Sequence, residues 1–349
     1  MPSAGYAFNK LFLSILIVMK TTLHILLLLI ALLTGCEKIL EFDGEITKPK
    51  ITVNAVATTD TVFIAAISRS EFFMDFIPER YLQSRYQEYV LENAEATITV
   101  NGSDIYPMQY NPESLNYEST YIPAGGDEIL LNVSSQDLEP VESRVVIPGK
   151  GDLEILSNEI LYSENYFVYD DWTDPFAHDT IMRITARITD PPGETNYYRL
   201  KVRSEGYVKY TIVYTPGVDS ASYEGYETSD VFSSADVIFK DDRLVERYRG
   251  WPAGFSNVFD DHLFDGKDYT FTVESRMRRG TDQHITVELQ SITRELFNYL
   301  KSVMLYRIID QDSYTESVQI YSNITGGYGR LGALNGEKHL VYFNTGMNR

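Results

Sequence analysis

Few residues in this chain have the type and spacing to do chemistry, and each set makes a specific demand. Gly327-Tyr328-Gly329-Arg330-Leu331-Gly332 spells G-x-G-x-x-G. That pattern cradles a dinucleotide only between a strand and a helix, with an acid about 20 residues further on. Here Asn335-Gly336 and Leu340-Val341-Tyr342-Phe343 follow instead. They read as a hairpin, so the glycines are expected to let the backbone turn sharply near the end of a sheet. Two acid-rich stretches offer oxygen ligands: Asp170, Asp171, Asp174 and Asp179, then Asp260, Asp261 and Asp265. Calcium takes about 6–8 oxygens from such groups. Neither stretch has the glycine that an EF-hand loop requires, so calcium stands beside the plainer reading of solvated acidic loops. His178, His262, His284 and His339 show no zinc-pair spacing. His284 is expected to open a strand and His339 to sit in the final hairpin. No nucleophile elbow or Walker loop occurs. No catalytic residue is nominated, and a hydrolase without a local motif is the least supported class.

The single cysteine is the exception. Met19-Lys20-Thr21-Thr22 precedes an apolar run from Leu23 to Leu33, broken only by His24, and Leu33-Thr34-Gly35-Cys36 follows. A basic start, a short apolar stretch and a small-residue cleavage site make a secretory signal, and the last four residues look like a bacterial lipobox. Cys36 is therefore expected to carry lipid after removal of residues 1–35, with translation starting at Met19. Each buried methylene contributes about 0.8 kcal/mol, and stable anchoring needs more than one chain, which diacylglycerol plus an acylated amino terminus provides. A membrane-spanning helix would need ~20 apolar residues, and Lys20 interrupts any longer run.

Lipidation of Cys36 leaves no thiol for a disulfide, a nucleophile or a metal. The net charge of −20 argues against nucleic acid, which rewards basic surface, and against electrostatic attraction to anionic headgroups. Disorder does not fit a chain that is 44% hydrophobic with dispersed acids. The 26 tyrosines suit half-buried strands first and recognition surfaces second.

Strands must position whatever chemistry exists. Residues 36–50 read as a polar tether. Ile51 to Val56 and Val62 to Ile67 open a sheet. Ala96, Ile98 and Val100 alternate with threonines before Asn101-Gly102, a hairpin signal. Ile129, Leu131 and Val133 form another half-buried strand, and Val145 to Ile147 one more. This rhythm over residues 51–150 predicts a β-sandwich, immunoglobulin- or transthyretin-like. Pro148-Gly149-Lys150-Gly151 is rich in breakers and marks a boundary. Residues 151–349 predict a second β-rich, sandwich-like domain, from alternation at Met182–Ile188, Tyr198–Val202, Tyr269–Val273 and Ile285–Leu289. One helix interrupts it, over about 293–308, with Thr293 as N-cap and Leu296, Phe297, Leu300, Val303 and Met304 as its apolar stripe.

Aromatic segments are the candidates for a binding face. Ser70 to Val90 breaks the strand rhythm, and its Tyr81, Tyr86 and Tyr89 are the residues expected to meet a ligand or partner. Tyr207, Tyr210, Tyr214, Tyr223 and Tyr226 form a second set, equally compatible with rings that cover the edges of their own sheet.

A series of phrases lies in order along the mature chain. The lipobox and tether come first, then Ser68–Ser70 ending an early strand, Glu92-Asn93-Ala94 opening another, and Asp190-Pro191 with Asn196-Tyr197-Tyr198. Phe264-Asp265-Gly266-Lys267 and Ser322-Asn323-Ile324 with Gly326-Gly327 complete the set. Together they resemble a Bacteroidota lipoprotein family known as domain of unknown function 4249. The glycine-rich end differs from the commoner form in having Tyr328 and Arg330. The resemblance implies an outer-membrane lipoprotein, often encoded beside a TonB-dependent receptor, and supplies no catalytic residues. The leading expectation is a non-catalytic accessory binding protein of such a receptor, held to the membrane by lipid. A structural or adhesive module is the alternative. A ligand-sized cleft lined by tyrosines at the domain junction favours the first, and filled sandwiches with a flat exposed patch favour the second.

Overall fold

Period-two alternation governs nearly the whole chain from Ile51 onward. A computed structural model describes residues 48–71, 86–163, 179–215, 219–245, 252–278, 280–309 and 318–342, together with Lys20. Cys36, the signal stretch and the tether up to residue 47 lie outside them. In the first half run β1 (Ile51–Thr58), β2 (Ile64–Arg69), the helical turn α1 (Tyr86–Tyr89), β3 (Glu95–Val100) and β4 (Asp104–Pro107), then β5 (Gln109–Asn111), β6 (Asn116–Glu118), β7 (Glu128–Ser135) and β8 (Leu138–Val146). Next come β9 (Asp152–Ser163), β10 (Asp179–Thr189), β11 (Tyr197–Thr215), β12 (Asp219–Ser229) and β13 (Phe232–Ser233). The chain continues with β14 (Val258–Asp260), β15 (Asp268–Arg276), β16 (Thr281–Ile292), helix α2 (Arg294–Ile309) and β17 (Tyr328–Tyr342). The protein is mostly β, as its alternation requires.

Three sheets build two sandwiches. A nine-stranded sheet runs β12-β11-β16-β17-β1-β2-β6-β5, with β14 beside β11, and two four-stranded sheets run β4-β3-β7-β8 and β13-β15-β10-β9. One end of the long sheet packs on the first small sheet. There Ile51, Val53 and Ile67 meet Ile98, Ile129, Leu131 and Val145 in one core. The other end packs on the second small sheet, where Leu200, Val202, Val287 and Leu289 meet Met182, Ile184, Phe271 and Val273 in another. Fully burying such an aliphatic side chain contributes about 1.5–3 kcal/mol, so both faces are needed to hold the long sheet.

β17 belongs to both sandwiches. Its first half runs parallel to β1, from Thr52↔Tyr328 to Thr58↔Leu334, and its second half runs antiparallel to β16, from Ile292↔Leu334 to His284↔Tyr342. Leu331 and Ala333 enter the first core and Val341 the second. Ile147 belongs to the first core and Leu153 to the second, and Lys48–Arg349 pack as one compact unit.

β17 also corrects one expectation. Asn335-Gly336 makes no hairpin, and both residues lie inside the continuous strand, as does His339. Gly336 lies against β16, where a Cβ would come 2.7 Å from the movable Glu288 carboxylate. Gly329, at φ +105°, lies so close to β1 that a Cβ would fall 1.9 Å from the Val53 carbonyl oxygen. At the start of the run the chain does turn, Gly327 N donating to the Ile324 carbonyl at 3.3 Å just before β17, while Gly329 admits the neighbouring strand. By contrast Asn101 (φ 51°) and Gly102 (φ 74°) do turn β3 into β4.

Thr293 caps α2. Its hydroxyl accepts from Leu296 N at 3.3 Å and its carbonyl from Phe297 N at 2.9 Å. Leu296, Met304 and Ile308 are buried, and Phe297 and Leu300 pack against the same core.

Candidate functional site

The seam between the cores opens as a cleft of about 880 Å³. Three segments line it: residues 144–152 leaving β8, residues 189–198 (without Gly193) joining β10 to β11, and residues 291–295 where β16 passes into α2.

The first wall is held by glycine and by two side chains of β17. A Cβ on Gly151 would meet Ser291 Oγ at 3.0 Å and Leu289 Cδ2 at 3.1 Å, so glycine permits the close approach. Asn335 Nδ2 donates to the Pro148 carbonyl at 3.2 Å. Glu337 accepts from Leu153 N at 3.2 Å and from Lys150 Nζ at 3.1 Å. The breaker run is thus stapled to the strand that both sandwiches share.

Three aspartates shape the second wall. Asp190 is buried, and its carboxylate accepts from Tyr198 Oη at 2.6 Å and from Gly266 N at 2.9 Å. Asp261 Oδ2 accepts from Asn196 N at 2.7 Å, and Asp265 Oδ1 from Gly193 N at 3.3 Å. One oxygen of each lies within 4.8 Å of the others. Burial pushes Asp190 above the usual carboxylate range, against the pull of its two donors, and Asp261 and Asp265 push it further. Burial, then the Asp190 carboxylate, raises the Tyr198 phenol. The triad is the arrangement a hard cation would need, although three ligands are few against the usual number. Four of its oxygens already tie the 190–198 loop in place.

Asp261 and Asp265 were legible as an acidic stretch. Asp190 was legible only as part of the Asp190-Pro191 phrase, because the strand pairing that brings it in is long-range. Asp260 faces elsewhere and contacts His262 Nδ1. Of the earlier stretch, Asp170, Asp171 and Asp174 lie outside the described residues, as do His178 and the side chain of Asp179.

The tyrosines fall in three places. Tyr197 and Tyr198 line the cleft; the Tyr197 ring packs on Phe297 at 4.8 Å, and the Tyr198 ring is buried near Phe259 at 5.8 Å. Tyr81 and the Tyr86 side chain lie outside the described residues. Tyr89, ending α1, donates to Glu71 at the other flank of the aromatic insertion and does not line the cleft. Tyr207, Tyr210, Tyr223 and Tyr226 stand on the β11–β12 hairpin, while the Tyr214 side chain is outside the described set. Tyr207 packs edge-on to Tyr226 at 5.3 Å, and Tyr210 tilts over Tyr223 at 5.4 Å. Tyr210, Tyr223 and Tyr226 remain more than 40% exposed. His284 pairs with Glu205 at 3.1 Å.

Among the described residues no helix is long and apolar enough to cross a membrane. A family model described as Domain of unknown function (DUF4249) matches residues 37–339. No curated protein matches the chain.

Proposed function

We propose that this chain, which belongs to the DUF4249 family, is a non-catalytic binding protein anchored through Cys36 in the outer membrane. On this reading its junction cleft presents a small ligand to a TonB-dependent receptor. The observation that carries it is the cleft. Its volume, about 880 Å³, falls in the range of roughly 300–1,000 Å³ typical of small-molecule sites. It lies where two cores meet, a preferred place for such sites. The lipobox supports the anchor, and the receptor partner follows from the family resemblance.

The test is purification of the native lipoprotein in gentle detergent. Co-elution with a large β-barrel receptor and an acylated Cys36 in mass spectra are the expected results, with Cys36→Ala releasing the chain to the soluble fraction. An unmodified peptide running through residues 30–40, or deletion with no effect on uptake through the neighbouring receptor, would sink the proposal. The exposed tyrosines of the β11–β12 hairpin favour a second reading, an adhesive surface module. That reading expects normal uptake and lost surface contacts when Tyr210, Tyr223 and Tyr226 are replaced by serine.

A further inference from the structure

We infer that β12 is an open docking edge for an extended, arginine- or lysine-bearing segment of a partner protein, which adds to the long sheet as a further strand. No residue of β12 lines the junction cleft, so the edge stands whether or not the cleft holds a ligand. β12 ends the nine-stranded sheet, and among the described residues no strand pairs with its outer side. An edge strand presents a row of free N–H and C=O groups, and proteins guard such edges by shortness, proline, lysine or a bulge. β12 runs for 11 residues without lysine, arginine or proline. Its register with β11 is unbroken from Ser204↔Ser229 to Val213↔Ser220.

The other end strands of the three sheets are guarded. β5, β13 and β4 are 3, 2 and 4 residues long, and β4 ends in Pro107. β8 carries Pro140 and Arg144 and is bridged at Glu142 by Thr325. β9 slips register opposite Thr185 and Ala186, and its Glu154 and Glu159 are paired with Arg187 and Arg183. Only β12 is left open along its length among the described residues.

The side chains along the edge select the occupant. Successive side chains of a strand point to opposite faces, so Glu224 and Tyr226 share one face of β12, and Tyr223 and Glu227 share the other. The tyrosine hydroxyls are engaged: Tyr226 Oη donates to Asp282 at 2.5 Å, and Tyr223 Oη to the Tyr226 carbonyl at 3.2 Å. The rings therefore offer their faces, which attract a guanidinium or an ammonium. Glu227 accepts from Tyr210 Oη at 3.2 Å, and among the described residues no ion pair reaches Glu227 or Asp282. Glu224 shares Lys209 at 2.8 Å. Every charged residue of β12 is an acid. A second copy would bring these acids together on a chain whose net charge is already −20, and like-charge contact is costly. A cationic strand meets them with opposite charge, and arginine adds a planar fork that fits a carboxylate.

The experiment mixes the mature chain carrying Cys36→Ala with a blocked octapeptide that alternates arginine with threonine, and follows amide hydrogen exchange by mass spectrometry. Slowed exchange across β12 is expected. Binding should be at least tenfold tighter than for the same peptide with glutamate in place of arginine, and should weaken as salt rises. Glu224→Gln combined with Glu227→Gln keeps the shape and removes the charge. It should weaken the arginine peptide fivefold or more, while exchange across β11 and β16 in the free variant stays as in the parent. No slowing across β12 at millimolar arginine peptide, equal binding of the glutamate peptide, or an unchanged affinity in the glutamine variant would each overturn the proposal. Slowing that appears without peptide as the protein concentration rises would overturn it too, and would assign the edge to a second copy.

Discussion

Tyr198 donates its phenolic hydrogen to Asp190 Oδ1 at 2.6 Å, with both side chains almost fully buried in the cleft wall. Tyr198→Phe removes the donor and keeps the ring among Phe259 and Phe264. It leaves a buried carboxylate oxygen one partner short, which costs about 1–3 kcal/mol. Urea denaturation of the two proteins should show that loss with an unchanged slope. A variant as stable as the parent would mean that water replaces the phenol, and that the 190–198 loop is not held by this bond.

The same carboxylate sets a pH dependence. Because burial raises its folded pKa above the unfolded value, the folded state binds the proton more tightly. That contribution to stability is fully present below the unfolded carboxylate value, about 3.9, and is lost as pH rises through the raised value. Asp190→Asn cannot titrate. The stability of the parent relative to Asp190→Asn should therefore decline as pH climbs from acid toward neutrality. A difference that stays flat, or grows with pH, would contradict the raised pKa.

Asp241 behaves in the opposite sense. Buried beside α2, it accepts from Lys301 Nζ at 2.9 Å and from Arg243 Nη2 at 2.8 Å, and these cations hold it well below the usual range despite burial. A depressed pKa contributes stability that is present above the unfolded value and lost only as pH falls through the folded one. Lys301, whose side chain is 12% exposed, would be left without its carboxylate by Asp241→Asn. Breaking one side of a buried pair costs about 3–5 kcal/mol. Thermal unfolding at neutral pH should register it, and a loss below 1 kcal/mol would show that solvent reaches Lys301.

How far the residues alone reach is plain from particular elements. α2 was legible because Thr293 is a strong cap and Leu296, Leu300 and Met304 keep a helical period. β3 and β7 were legible because Ile98, Leu131 and Val133 alternate with polar neighbours. The parallel pairing of β1 with β17 was not, since no local pattern states which distant strand lies beside Ile51–Thr58. The long-range antiparallel pairing of β16 with β17 defeated the hairpin reading of Asn335-Gly336, which lie opposite Ser291 and Gln290. The cleft shares this origin. Its lining is contiguous in three short segments, but only the shared strand brings them together.

Gly329 tests that strand directly. With φ at +105° and the Val53 carbonyl 1.9 Å from the ideal Cβ position, alanine must push β1 and β17 apart. Strain in backbone and packing together exceeds the cost of about 1–3 kcal/mol for ordinary overpacking. Gly329→Ala should lower the melting temperature by more than Gly102→Ala, whose Cβ meets nothing within 4 Å. Equal effects would show that the two halves of the long sheet do not depend on this contact.

The last prediction concerns the aromatic insertion and sets the proposed partner against the cleft. Tyr89 belongs to neither core, and its hydroxyl reaches Glu71, so the two flanks of the insertion are tied together. Aromatic anchors near the centre of an interface cost about 2 kcal/mol or more when truncated, and rim positions little. Replacing Tyr81, Tyr86 and Tyr89 with alanine should therefore weaken binding to the proposed receptor by roughly 30-fold or more. The circular dichroism and melting of the sandwiches should be preserved. Ligand occupancy of the cleft should not change with Tyr89→Ala, because Tyr89 does not line it. On the proposed reading, receptor docking and ligand binding should be separable, so that one can be lost without the other. If the triple variant binds the receptor as tightly as its parent while remaining folded, the insertion is not the docking face. The exposed tyrosines of the β11–β12 hairpin then become the surface to replace next.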